Sequence, residues 1–123
     1  MALKDVAPLF PKIVLGKTTT KTELVDHIKE RTGMHKSDVV GMLAELEDTL
    51  LHFLSMGRPV RLEGIGIFTP SIKLDGTIKI NFRINKRLQE RLNLKDTFTG
   101  EIKNKENIGK TMAELEAQAS AAS

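Results

Sequence analysis

Between Ser71 and Leu88 the chain reads SIKLDGTIKINFRINKRL, with cations at Lys73, Lys79, Arg83, Lys86 and Arg87. The chemistry open to such groups is charge pairing with a polyanion, a phosphate backbone above all. Their spacing decides whether they act together. Lys79, Asn81 and Arg83 alternate with Ile78, Ile80, Phe82 and Ile84, and before them Ser71 and Lys73 alternate with Ile72 and Leu74. Strand side chains alternate between two faces, so the pattern predicts a hairpin with one apolar face and one basic face. Asp75-Gly76 lies between the two runs and predicts a two-residue type I′ turn, with both residues at positive φ.

The rest of the chain sets this stretch apart. Residues 57–95 carry nine Lys/Arg against three Asp/Glu, whereas residues 1–56 carry seven against eight and residues 96–123 three against five. A basic block inside an otherwise acidic chain is the footprint of a surface that meets polyanions. The plainer reading of the same block is a solvated face that keeps the protein soluble.

The elements that must position these cations are legible from period and caps. Thr20-Lys-Thr-Glu23 is a capping box that opens a helix carrying Leu24, Val25 and Ile28, and Gly33 ends it. A second helix begins near His35 to Asp38 and runs to about Met56, with Val39, Leu43, Leu46, Leu50 and Phe53 on one stripe and Gly57 as its stop. Val40, Met42, Leu51 and Leu54 widen that stripe beyond what one small sheet covers. The spacing therefore predicts a homodimer with Leu43, Leu46, Leu50, Phe53, Phe68 and Phe82 at its interface. Val60 and Leu62 alternate with Arg61 and Glu63 in a first strand, and Gly64-Ile65-Gly66 bends the chain into a second. Asn85 caps a last core helix, Lys86 to Leu92. Lys86 and Arg87 in its first turn oppose the helix dipole, and phosphate binding is one reason to keep them there.

Composition excludes other classes. At 123 residues without Cys, Trp or Tyr, the chain has one domain's worth of length, no disulfide framework, no thiolate nucleophile and no sulfur-based zinc site. Asp5, Pro8, Pro11 and Lys12 interrupt the opening stretch, so neither signal peptide nor membrane span is expected. Gly16-Lys-Thr18 and Gly109-Lys-Thr111 lack the upstream glycine of a phosphate-binding loop, since Pro11 and Asn104 stand there. His27, His35 and His52 have no acid at metal-ligand spacing, and Glu45, Glu47 and Asp48 read as the wet edge of the helix stripe. The expectation is a protein without enzyme activity, metal or cofactor, and without a small-molecule substrate.

Three segments carry a family resemblance. KTELVDHIKERTGMHKSDV resembles the first helix and turn of the bacterial histone-like HU and integration host factor family. Val60-Arg-Leu-Glu-Gly-Ile-Gly-Ile-Phe68 resembles its glycine-bracketed first strand and turn, and Phe82-Arg83 with Asn85-Lys86-Arg87-Leu88 its segment leading into the last helix. The match covers about residues 20–92. It implies an α+β fold in which a helical hairpin is followed by a three-stranded antiparallel sheet and a short helix. It also implies an intertwined dimer, double-stranded DNA as partner, and a nucleoid location in the cytoplasm. The residues expected to meet DNA are Arg61, Lys73, Lys79, Arg83, Lys86, Arg87 and Arg91. The departure from the family lies in the hairpin. Family members extend these strands into basic arms whose tip proline wedges between bases, and here the arm shortens to a tight turn.

The expected organisation is an N-terminal extension at 1–19, a core domain at 20–95 and a C-terminal extension at 96–123. Lys12-Ile-Val-Leu15 and Thr97-Phe-Thr-Gly-Glu-Ile-Lys103 are each a candidate strand, paired with each other or with a sheet edge. Thr111-Met-Ala-Glu114 opens a short helix over MAELEAQ that frays toward Ser123. Two functions follow from different classes. One is a phosphate-contacting DNA-binding dimer of little sequence specificity and reduced bending. The other is a scaffolding module of the same fold that has lost DNA binding.

Overall fold

The computed structural model describes residues 3–122. In chain order its elements are α1 (Leu3–Val6), β1 (Lys12–Ile13), α2 (Lys21–Thr32), α3 (Lys36–Ser55), β2 (Val60–Leu62), β3 (Gly66–Ile72), β4 (Ile78–Ile84), α4 (Lys86–Leu92), β5 (Ile102–Lys103) and α5 (Met112–Ala122), with 3₁₀ turns at Ala7–Leu9 and Lys105–Asn107. They form two compact units: a core from Thr18 to Phe98, and a terminal unit built from the two ends of the chain, up to Lys17 and from Thr99 on.

In the core, local chemistry sets each boundary. The Thr20 hydroxyl accepts from the Glu23 amide at 3.3 Å while the Glu23 carboxylate accepts from the Thr20 amide at 3.3 Å, so the first turn of α2 satisfies two of its own orphan donors. Gly33 closes that helix at φ 74°, donating to the Lys29 carbonyl at 2.8 Å. α3 follows directly, and Lys36 reaches back to Asp26 of α2 at 3.6 Å. The sheet runs in the order β2-β3-β4 with both neighbours antiparallel, giving an α+β architecture of helical hairpin, sheet and short helix.

Register fixes the two faces of the sheet. Val60, Phe68 and Phe82 share one row, Leu62, Gly66 and Ile84 the next, and Pro70 with Ile80 and Ile72 with Ile78 continue the apolar face outward. Gly66 allows the close packing at the base of this face. A Cβ there would sit 2.5 Å from the Arg83 carbonyl and 2.6 Å from the Phe82 ring.

The hairpin turn differs from the sequence expectation. Gly76 has φ 90°, but Asp75 is not among the residues at positive φ, so the turn is not type I′. The Gly76 amide donates to the Lys73 carbonyl at 2.9 Å and the Lys73 amide to the Thr77 carbonyl at 2.8 Å. Leu74, Asp75 and Gly76 thus form a three-residue loop in which a turn is completed by one left-handed glycine. The physical reason is the Asp75 carboxylate, which accepts from the Thr77 amide at 2.9 Å and is satisfied without positive φ at its own residue. That bond also holds the carboxyl below the usual carboxylate range.

The terminal unit combines a short strand pair, a small apolar core and side-chain amide caps. β1 and β5 pair antiparallel, Lys12 opposite Lys103 and Ile13 opposite Ile102. Asn104 donates to the carbonyls of Pro8 at 2.6 Å and Phe10 at 3.1 Å, and Asn107 donates to that of Leu9 at 2.7 Å. Three successive carbonyls near one end of the chain are therefore capped by two asparagines near the other, and Val6 and Leu115 are buried in the same unit. Thr111 accepts from the Glu114 amide at 3.2 Å at the head of α5. That helix does not stop at Gln118 but continues to Ala122, because alanine is the strongest helix former; Ser123 lies outside the described residues.

Candidate nucleic-acid interface

The polar face of the sheet is built by the same alternation that builds its apolar face. Arg61, Ile67 and Arg83 form one row across all three strands, followed by Thr69 opposite Asn81 and Ser71 opposite Lys79. Lys73 stands at the loop end of this face, bonded to Thr77 across the hairpin. None of the strand residues on this face is acidic. Its cations also have no acidic partner, since Lys36–Asp26 is the one ion pair among the described residues. Four of the seven residues expected to meet DNA, Arg61, Lys73, Lys79 and Arg83, therefore lie on one surface with their charges free.

The other three sit on α4. The Asn85 side chain accepts from the Arg87 amide at 2.8 Å and caps the helix, while its own amide donates to the Ile65 carbonyl at 2.7 Å and ties the helix start to the β2–β3 turn. Arg87 and Arg91 are four residues apart and share a side of α4, and no acid occupies the first turn.

On the opposite face, α3 and the sheet enclose an open apolar groove lined by Leu43, Leu46, Leu50, Leu54, Phe68 and Ile80, which continues outward past Ile72 and Ile78. The Phe68 and Phe82 rings meet there at 4.8 Å between centroids. Phe53, at the far end of α3, packs edge-on against His52 and lies under the Arg58 guanidinium. The core's own burial is thin: Val25 and Val39 are its buried apolar side chains, while Ile78 is 70% exposed and Leu51 69%.

Three features escaped the sequence reading. Asn81 donates to Ser71 at 3.0 Å across the polar face, Arg58 stacks on Phe53 rather than standing free, and the Asn104–Asn107 clamp joins residues almost a chain length apart. The alternation of residues 71–83 carried a signal for the first; the other two depend on tertiary placement and leave no local mark. Among the described residues no His, Cys, Asp or Glu cluster is arranged to hold a metal ion, and no helix is long and apolar enough to cross a membrane.

The chain is similar to known proteins in sequence and fold. The profile of a family described as an HU domain fused to a wHTH, Ig or glycine-rich motif, HU-HIG, matches residues 2–100. The DNA-binding protein HU of Thermus thermophilus is 40% identical over 52 residues, which are 42% of this chain and 54% of that protein. The match thus spans about half the length of that curated relative. The solved structure of an HU mutant from Thermotoga maritima is similar with a TM-score of 0.52 at 26% identity, over 60% of this chain and 99% of that one.

Proposed function

Because the chain belongs to the HU-HIG family of HU domains, we propose that it is a double-stranded-DNA-binding protein that works as a homodimer and contacts phosphates with little sequence preference. One observation carries the reading: Arg61, Lys73, Lys79 and Arg83 stand unpaired on an acid-free sheet face whose reverse is an uncovered apolar groove. An array of free cations without acids is suited to replacing the counterions of a duplex, which supplies affinity for any sequence. Lys86, Arg87 and Arg91 extend it from α4. The dipole cost of placing two cations in the first turn of that helix is offset when they meet phosphate.

The second copy of the chain is the partner for the apolar side. A core with two buried apolar side chains does not cover α3 and the sheet on its own, and Leu43, Leu46, Leu50, Phe53, Phe68 and Phe82 are the residues a partner protomer would bury. The core unit is the DNA-binding part, and the chain's two ends form an accessory unit beside it in the sequence. The hairpin ends in a three-residue loop after strands of seven residues, too short to wrap a duplex, so the bound DNA stays close to straight. The setting is the nucleoid in the cytoplasm, with no chemistry performed on the DNA.

That same short hairpin favours a second reading, a scaffolding protein of HU fold that does not bind DNA. A salt series of duplex binding separates the two: the first requires binding that weakens steeply with salt, the second none at any salt.

A further inference from the structure

We infer that the terminal unit carries a phosphate contact of its own, formed by Lys12 and Lys103, an inference that rests on the DNA-binding reading above. In the antiparallel pair of β1 and β5, Lys12 stands directly opposite Lys103. The Val14 amide donates to the Glu101 carbonyl at 2.9 Å, so Val14 with Glu101 is a hydrogen-bonded pair of the ladder. Two residues along, Lys12 with Lys103 is the next such pair, with Cα atoms about 5.5 Å apart and both side chains on one face. Both lysines are exposed.

Like charges directly opposite each other destabilise a strand pair, and an isolated pair of strands is already marginal. The unit does not relieve this repulsion itself. Glu101 shares the face but lies opposite Val14, and neither lysine joins the one ion pair among the described residues, Lys36–Asp26. Lys110 of the same unit, by contrast, is engaged by the Gln118 carboxamide at 3.1 Å. Nor can the two lysines drift apart through their backbones. Asn104, next after Lys103, holds the carbonyls of Pro8 and Phe10 in the segment leading into Lys12. Two ammonium groups held at one place by both ends of the chain are relieved by an anion between them. A phosphodiester, negatively charged and rich in acceptors, is the anion that the proposed partner supplies. The repulsion in the free protein then favours the bound state, because phosphate removes it. Such a contact carries no base information and adds to the affinity for every duplex.

The test is a salt series of duplex binding by the full chain. It is run for the wild type, for Lys12→Gln with Lys103→Gln, for Lys12→Arg with Lys103→Arg, and for Lys4→Gln as a control cation on α1. The glutamine double variant should flatten the slope of log affinity against log salt by about 0.9, one phosphate, per contacting subunit. It should weaken binding to A·T-rich and G·C-rich duplexes alike and keep or raise the denaturation midpoint, since the repulsion is gone. The arginine double variant should keep the wild-type slope, and Lys4→Gln should stay close to it. An unchanged slope in the glutamine variant overturns the inference while leaving the core's phosphate contacts intact, which Arg83→Ala with Lys86→Ala reports separately. If new self-association accompanies that unchanged slope, the lysines guard an open strand edge instead. A flattened slope that comes with a lowered midpoint marks a structural role and overturns the inference as well. Absence of wild-type binding at low salt removes the DNA-binding reading itself, and the inference with it.

Discussion

The Phe82 ring lies against the backbone of Gly66, 2.6 Å from where a Cβ on residue 66 would stand. Replacing Gly66 by Ala therefore forces both the ring and the Arg83 carbonyl, 2.5 Å from the same point, to move, and both belong to the sheet's central pairing. Overpacking of this kind costs about 1–3 kcal/mol. Chemical denaturation should show Gly66→Ala losing stability in that range, and an unchanged midpoint would mean that β3 and β4 shift apart at this point without cost.

The hairpin loop offers a separate test. Gly76→Val places a β-branched side chain at φ 90° and should destabilise by about 1 kcal/mol or more. The Asp75 carboxyl is held low by the Thr77 amide, so its contribution is fully present above the ordinary carboxylate pKa and is lost as pH falls through the lowered value. Asp75 is fully exposed, and its effect is accordingly small. Denaturation midpoints of the wild type and Asp75→Ala should converge as the pH drops below the carboxylate range. A gap that widens instead would mean that folding raises the Asp75 pKa rather than lowering it.

The proposed homodimer has its own test. Sedimentation at micromolar concentration should give twice the 13.7 kDa of the single chain, and Leu50→Asp in the α3 stripe should shift the protein toward monomer and lower its melting temperature. A wild type that stays monomeric with a cooperative melt would require the thin core to suffice by itself.

Much of the core was legible in the sequence because its signals are local. The capping box at Thr20, the glycine stops at Gly33 and Gly57, the Asn85 cap and the strict alternation from Ile78 to Ile84 each fix a boundary or a face within a few residues. The turn type is not legible in the sequence because Asp-Gly specifies a turn without specifying its length, and the choice falls to the bond between the Asp75 carboxylate and Thr77. For the two flanking strands the sequence left two pairings open; β1 joins β5, held by asparagine side chains whose partners lie more than ninety residues away. The extension of α5 to Ala122 reflects alanine's helix preference outweighing the expected fraying of a chain end.

DNA shape is the next measurable consequence. With no long arm to wrap the duplex, the protein should not promote ligation-driven circularisation of fragments shorter than the persistence length of about 150 base pairs. Efficient circularisation would show that the short hairpin bends DNA after all.

The salt dependence of duplex binding tests the central claim most directly. Each cation that displaces counterions at a phosphate contributes a slope of about −0.9 in log affinity against log salt. Wild-type protein should therefore bind any duplex with a steep negative slope. Arg83→Ala combined with Lys86→Ala should flatten that slope by about two units per contacting subunit and weaken binding to all duplexes. Undetectable binding at low salt, or a slope unchanged in the double variant, would contradict the assignment of the acid-free face as the DNA-binding surface.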